Sequence, residues 1–187
     1  MLETLSNKLN GNVLILEVGK PLRGDDVAGP YLIEQLEGRV NATLFDCGEV
    51  PENFLGKIAE VQPNSVLIID AIDLGMRPGA AALLKEDQLF AGVRLSTHHA
   101  SLQLFMKCLK AEAGAKIVVL GIQPKSTEFG NEISDEVKES LDLLQQIITR
   151  ALSPGGHQFK EHRYSPVPTF CLPSLFLSVI FLLDTPQ

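Results

Sequence analysis

The chain has 187 residues, the length of one ordinary domain, with 45% hydrophobic and 21% charged residues, as expected of a globular protein in water. Its formal net charge is −7. Lys160, Glu161, Arg163 and Asp184 cancel within residues 154–187, so the whole excess lies in residues 1–153. No Lys/Arg stripe relieves it, which argues against a nucleic-acid partner, since phosphate binding needs clustered cations. Cys47, Cys108 and Cys171 are too few and too irregularly spaced for a disulfide framework or a paired-cysteine zinc site. A reducing, cytoplasmic location is expected. Residues 1–11 lack the basic start and apolar run of a signal peptide.

In chain order, residues 12–18 read as a strand buried on both faces. A helix is expected over 27–36, with Leu32, Ile33 and Leu36 inward and Gly38 as its stop. Residues 42–46 form a short strand ending on an acid. The loop Asp46-Cys47-Gly48-Glu49-Val50-Pro51-Glu52 follows, and Asn53 offers a cap for a short helix reaching 60 or 61. A second buried strand, 65–70, also ends on an acid. Residues 79–84 are expected to be a strand, and 87–90 a helical turn.

After Ser96-Thr97-His98-His99, the apolar residues Leu102, Phe105, Met106 and Leu109 recur at helical spacing, and Gly114 ends that helix. Residues 116–121 are a last buried strand. Ser134 can cap a long helix carrying Val137, Leu141, Leu144 and Ile148 on one face. Strands alternating with helices at this spacing predict an α/β protein, a three-layer α/β/α sandwich around a mostly parallel sheet. Ser153-Pro154-Gly155-Gly156 marks a domain end, giving a domain over 1–153 and a hydrophobic extension over 154–187. Residues 164–183 carry no charge, but Pro166, Pro168 and Pro173 break the first half. The apolar run from Ser174 to Leu183 is about half the length that a membrane span needs. Membrane contact, if any, is expected there.

The chemistry concentrates around Gly19-Lys20-Pro21-Leu22-Arg23-Gly24-Asp25-Asp26-Val27-Ala28-Gly29-Pro30, directly after the first strand. In an open α/β sheet, ligands bind beyond the carboxyl ends of the strands. Pro30 would clash with the carbonyl of residue 26 inside a helix, so Asp26 lies at or before the helix start. One acid suffices for a cap; a pair asks for more. Asp70 ends another strand, and His98 and His99 precede a helix. Two carboxylates and an imidazole suit a divalent transition metal but are too few to close a site, which points to a catalytic or shared centre. The His-Glu-x-x-His helix, the Gly-x-Ser-x-Gly elbow and the dinucleotide Gly-x-Gly-x-x-Gly fingerprint are all absent, so no organic cofactor is expected. Asp73 reads as turn chemistry, Glu49 and Glu52 as loop acids, the three glycines as turn residues, and Cys47 and Cys108 as buried thiols.

Five blocks stand in one order: Val18-Gly19 with Gly24-Asp25-Asp26-Val27-Ala28-Gly29-Pro30; Asp46 to Asn53; Ile69-Asp70-Ala71-Ile72-Asp73-Leu74-Gly75 with Pro78-Gly79; Ser96-Thr97-His98; and Leu120-Gly121-Ile122-Gln123-Pro124. Together they resemble the nickel–iron hydrogenase maturation endopeptidases, in particular the hydrogenase-3 (formate-hydrogenlyase) type, over residues 12–152. The resemblance implies a twisted sheet of about five strands, of the phosphorylase/hydrolase-like kind, with helices on both faces. It implies a metal-dependent aspartic-type endopeptidase that removes a C-terminal peptide from the nickel-loaded precursor of a hydrogenase large subunit. Asp26, Asp70 and His98 match the family's metal-binding and catalytic positions. The nickel is supplied by the precursor, which is the implied partner. One departure stands out: Lys20 occupies the place where the family commonly has Asn. The competing reading is a non-catalytic α/β module that binds a nucleotide or a metal.

Overall fold

The computed structural model describes residues 1–20, 22–84, 99–130 and 132–153. The expected turn at 87–90, the segment Ser96-Thr97-His98 and the extension 154–187 lie outside the described residues. Five strands, β1 (Val13–Val18), β2 (Thr43–Asp46), β3 (Ser65–Ala71), β4 (Ala81–Leu84) and β5 (Lys116–Ile122), form one sheet in the order β2-β1-β3-β5-β4. All neighbours are parallel except β4, which runs antiparallel to β5 at the edge. The helices are α1 (Leu2–Lys8), α2 (Ala28–Leu36), α3 (Leu55–Val61), α4 (His99–Ala113) and α5 (Asp135–Ala151).

The central strands are mostly apolar because both of their faces are covered. Side chains alternate across the sheet. Val13, Ile15, Leu67, Ile69, Val118 and Leu120 therefore face a core shared with α1, α2 and α5. Leu14, Leu16, Val18, Val66 and Ile68 face a second core with α3 and α4. The i, i+3, i+4, i+7 set of α4 is fully used: Leu102, Phe105, Met106 and Leu109 are all buried. Phe105 is completely so, and a buried Phe truncated to Ala typically costs about 3–5 kcal/mol. The layered α/β/α arrangement is the expected one.

Several local expectations are corrected. Residues 1–11 contain a helix that periodicity did not announce. α1 is only seven residues long, too short to be stable alone, and it exists because Leu5 and the following Leu9 are buried in the first core. Asn53 does not cap α3. The chain enters through a 3-10 turn, Pro51–Phe54, and α3 starts after Phe54 with no side-chain cap. Ser134 occupies the N-cap position of α5 but makes no capping bond, because its hydroxyl is engaged elsewhere. β4 begins at Ala81 rather than 79, since Gly79 takes a positive φ of 78°.

β1, β2, β3 and β5 all point the same way, so their carboxyl ends share one edge. β1 leads through α2 to β2 on one side. β3 leads away on the other, and α2 and α4 cover opposite faces. The edge between β1 and β3 is thus the point where connections diverge, the place where open α/β sheets form their crevice.

Candidate active site

Asp70 is the next-to-last residue of β3 and lies level with Val18 of β1 on one side and Gly121 of β5 on the other. It sits in the sheet at the diverging edge and is 1% exposed. Its Oδ2 is buried without a hydrogen-bond partner. Burial pushes its carboxyl well above the usual carboxylate range, the Asp26 charge adds to this, and the Ala71 N–H pulls the other way. Asp26 lies in a 3-10 turn, Gly24–Val27, that joins β1 to α2. It is also buried, at 6%. Neither acid of the pair caps α2, whose N-cap position is Val27. The fold therefore brings Asp26 and Asp70 together from two strand ends. Two acids desolvated side by side are unstable as anions, and a cation between them removes the conflict. The orphaned oxygen of Asp70 fits such a ligand.

His98, the third residue of the expected site, lies outside the described residues. α4 starts at His99 and runs toward Ala113, three residues before β5 opens. Its first turn is thus at the carboxyl edge, where the acids are. Among the described residues, no group of three His, Cys, Asp or Glu side chains is placed to hold a metal ion.

The neighbouring acid Asp25 has a different task. The backbone N–H groups of Lys125 and Ser126 donate to its Oδ2 at 2.7 and 3.1 Å. The Ser134 N–H donates to Oδ1 at 2.7 Å, and the Ser134 hydroxyl to Oδ2 at 3.0 Å. The Asp25 N–H itself donates to the Ser126 carbonyl. Asp25 ties the first loop to the loop after β5 and to the start of α5, and it does not cap its own helix.

Glycines bring these segments close. A side chain on Gly19 would strike the Asp26 carbonyl at 2.5 Å, and one on Gly29 would strike Glu17 at 2.8–2.9 Å. Neither has a positive φ, unlike Gly24 at 50°. The expectation of three turn glycines is corrected here: two of them serve close packing instead.

Glu17 was not singled out from the sequence, although a charged residue inside an apolar strand was the available signal. It is fully buried. The Gly48 N–H donates to Oε1 at 2.9 Å, while Oε2 has no partner. Burial pushes its carboxyl up to about 8, helped by its hydrogen bond with Asp46. Lys20, the departure from the family pattern, forms an ion pair with Glu49 at 3.1 Å, linking the loops after β1 and β2. Glu49 is half exposed, so such a pair is worth at most about 1 kcal/mol. Cys47 is buried as expected, and burial holds its thiol up at about 12, far from a nucleophile's range. Cys108 is only partly buried. Asp73 makes the expected turn bond, accepting from the Gly75 N–H at 3.0 Å.

Gln123 takes a role that the sequence did not reveal. Its side-chain oxygen accepts from the N–H groups of Leu74 and Met76 at 2.7 and 3.1 Å. Its backbone bonds to Gly79 and Ala80. The loop that follows Asp70 is thereby fastened to the end of β5.

A family model described as hydrogenase maturation protease matches residues 30–151. The chain belongs to the hydrogenase maturation protease family. Hydrogenase 3 maturation protease of Escherichia coli K12 is 32% identical over 145 residues, covering 76% of this chain and 92% of that protein. The crystal structure of a [NiFe] hydrogenase maturation protease from Thermococcus kodakarensis KOD1 superposes with a TM-score of 0.72 at 32% identity, covering 81% of this chain and 99% of that one. The solution structure of an endopeptidase from Escherichia coli gives a TM-score of 0.67 at 30% identity, covering 75% and 91%. As a member of this family the protein is an endopeptidase. The strand-end acids described above are the groups its sheet presents at the diverging edge.

Proposed function

We propose that this protease removes a C-terminal peptide from the precursor of a [NiFe] hydrogenase large subunit after nickel has been inserted. Family membership supports the reaction class. The observation that carries the site is the buried, mutually repelling pair Asp26 and Asp70, with one Asp70 oxygen left without a partner. On this reading the metal arrives with the substrate, and Asp26, Asp70 and His98 hold it while the peptide bond is cut. Nickel in that position supplies Lewis acidity toward the scissile carbonyl. The residues of this chain do the rest. Asp26 and Asp70 contribute negative charge and lone pairs, Asp25 fixes the turn that carries Asp26, Gln123 fixes the loop that follows Asp70, and the buried setting excludes water from the acids. The aspartic-type, metal-dependent character and a cytoplasmic location belong to the same proposal. Among the described residues no helix is long and apolar enough to cross a membrane.

The test mixes the purified protein with nickel-loaded and nickel-free precursor and follows the large-subunit mass. Loss of a C-terminal peptide from the loaded form alone is expected, and Asp26→Asn or Asp70→Asn should abolish it. Equal cleavage of both forms, or cleavage that survives the double variant, would overturn the reading.

A further inference from the structure

Within the described residues, four large apolar side chains stand exposed: Leu22, Val50, Leu104 and Phe129. Leu104 projects from α4 alone. The other three sit on loops at the carboxyl edge of the sheet, the edge that carries Asp26. Leu22 is 65% and Phe129 73% exposed, so each keeps most of its surface in water at an energetic cost. A single exposed apolar residue needs no explanation, but a grouping beside a reaction site does.

These two are also held in place. The Gly130 N–H donates to the Leu22 carbonyl at 3.1 Å, which joins the two loops directly beside both side chains. The Asp25 carboxylate fastens the same loops together through Lys125, Ser126 and Ser134. Loops tied by six hydrogen bonds, counting that from the Asp25 N–H to the Ser126 carbonyl, present Leu22 and Phe129 in a fixed arrangement before any partner arrives. Pre-ordered apolar anchors lower the entropy that a partner must overcome on docking. A Phe side chain buried at an interface contributes a large apolar area.

We infer that Leu22 and Phe129 form an apolar docking rim for the hydrogenase large-subunit precursor, seated against a patch of apolar side chains on that protein. This rests on the proposed function. The commitment to this occupant follows from position: any protein whose backbone reaches Asp26 and Asp70 must cross the edge where the rim stands. The rim holds the folded body of the precursor and contributes binding, while the acids act on the bond.

The experiment measures the dissociation constant for nickel-loaded precursor by titration, alongside cleavage, for wild type, Leu22→Ser/Phe129→Ser and the distant control Leu104→Ser. Binding weakened about tenfold or more in the double variant, with an unchanged melting temperature and an unchanged Leu104→Ser control, supports the rim. Under saturation the double variant should cleave at the wild-type rate, so the effect falls on KM rather than kcat. Leu22→Glu alone keeps the test available if the double variant melts early, because its backbone bond to Gly130 is retained. Equal binding in all variants overturns the rim. A wild type that binds but never cleaves refutes the protease reading and leaves the rim to be judged on the dissociation constants. A wild type that does neither overturns both.

Discussion

Glu17 is a carboxyl group with no exposed surface in an otherwise apolar strand, and its neighbours Asp46 and Asp70 are acids too. Its ordinary value of 4.5 is raised to about 8 in the fold, first by burial and then by Asp46. The folded state therefore holds a proton that the unfolded chain has released. Stability from this group is fully present below about pH 4.5 and is lost as pH rises through about 8. Each pH unit inside that window corresponds to about 1.4 kcal/mol at the limit, with local relaxation reducing it. Glu17→Gln keeps the shape, the neutral charge and an oxygen for the Gly48 N–H. Urea unfolding from pH 5 to 9 should show the variant level with wild type at pH 5 and more stable by a few kcal/mol at pH 9. Some slope will remain, because Asp70 is shifted in the same direction. A variant whose pH profile parallels wild type would mean that Glu17 is ionised in the folded protein.

At the carboxyl edge a few polar side chains join elements that are distant in sequence. Asp25 satisfies three backbone N–H groups and one hydroxyl from the region between β5 and α5. Removing it leaves those donors half-buried and unpaired, and hydrogen bonds to charged acceptors are among the stronger ones. Asp25→Ala should destabilise the protein by about 3 kcal/mol in chemical denaturation. It should also raise amide exchange at Lys125, Ser126 and Ser134 while leaving the central strands protected. Asp25→Asn should recover only part, since one of its two oxygens becomes a donor facing donors. Exchange unchanged at those three amides would show that the loops are held by other means. Gln123 plays the corresponding part for the loop after β3, so the turn that carries Asp26 and the loop that follows Asp70 are each tied by one polar side chain to the region at or after the end of β5.

At the scale of the molecule, the described residues of the first core run from Leu5 to Leu152. Leu152 is buried in the first core, its carbonyl accepts from the Asn41 N–H, and the family match ends at 151. A chain ending at Ser153 should melt within about 2 °C of the full chain and cleave precursor at the same rate. A drop of 10 °C or more would assign 154–187 a place in the folded body. The layered sheet, its two apolar faces and the helical stripe of α4 were legible in the sequence, because periodicity records burial directly. Asp26 and Asp70 were legible as candidates, since acids next to the ends of buried strands stand out against the apolar runs, and the structure buries both. What no local pattern carried is which of two adjacent acids is engaged in holding loops together. The sequence makes Asp25 and Asp26 equivalent candidates, and the residue-by-residue match alone favoured the second. Only the tertiary structure shows Asp25 spent on partners about a hundred residues away. Separation along the chain also hid the bond from the Leu74 N–H to Gln123, 49 residues apart, the pairing of Lys20 with Glu49 and the dependence of α1 on its docking surface. A side chain's role at this edge is decided by which loop the sheet order brings beside it, and that adjacency exists only once the strands have paired.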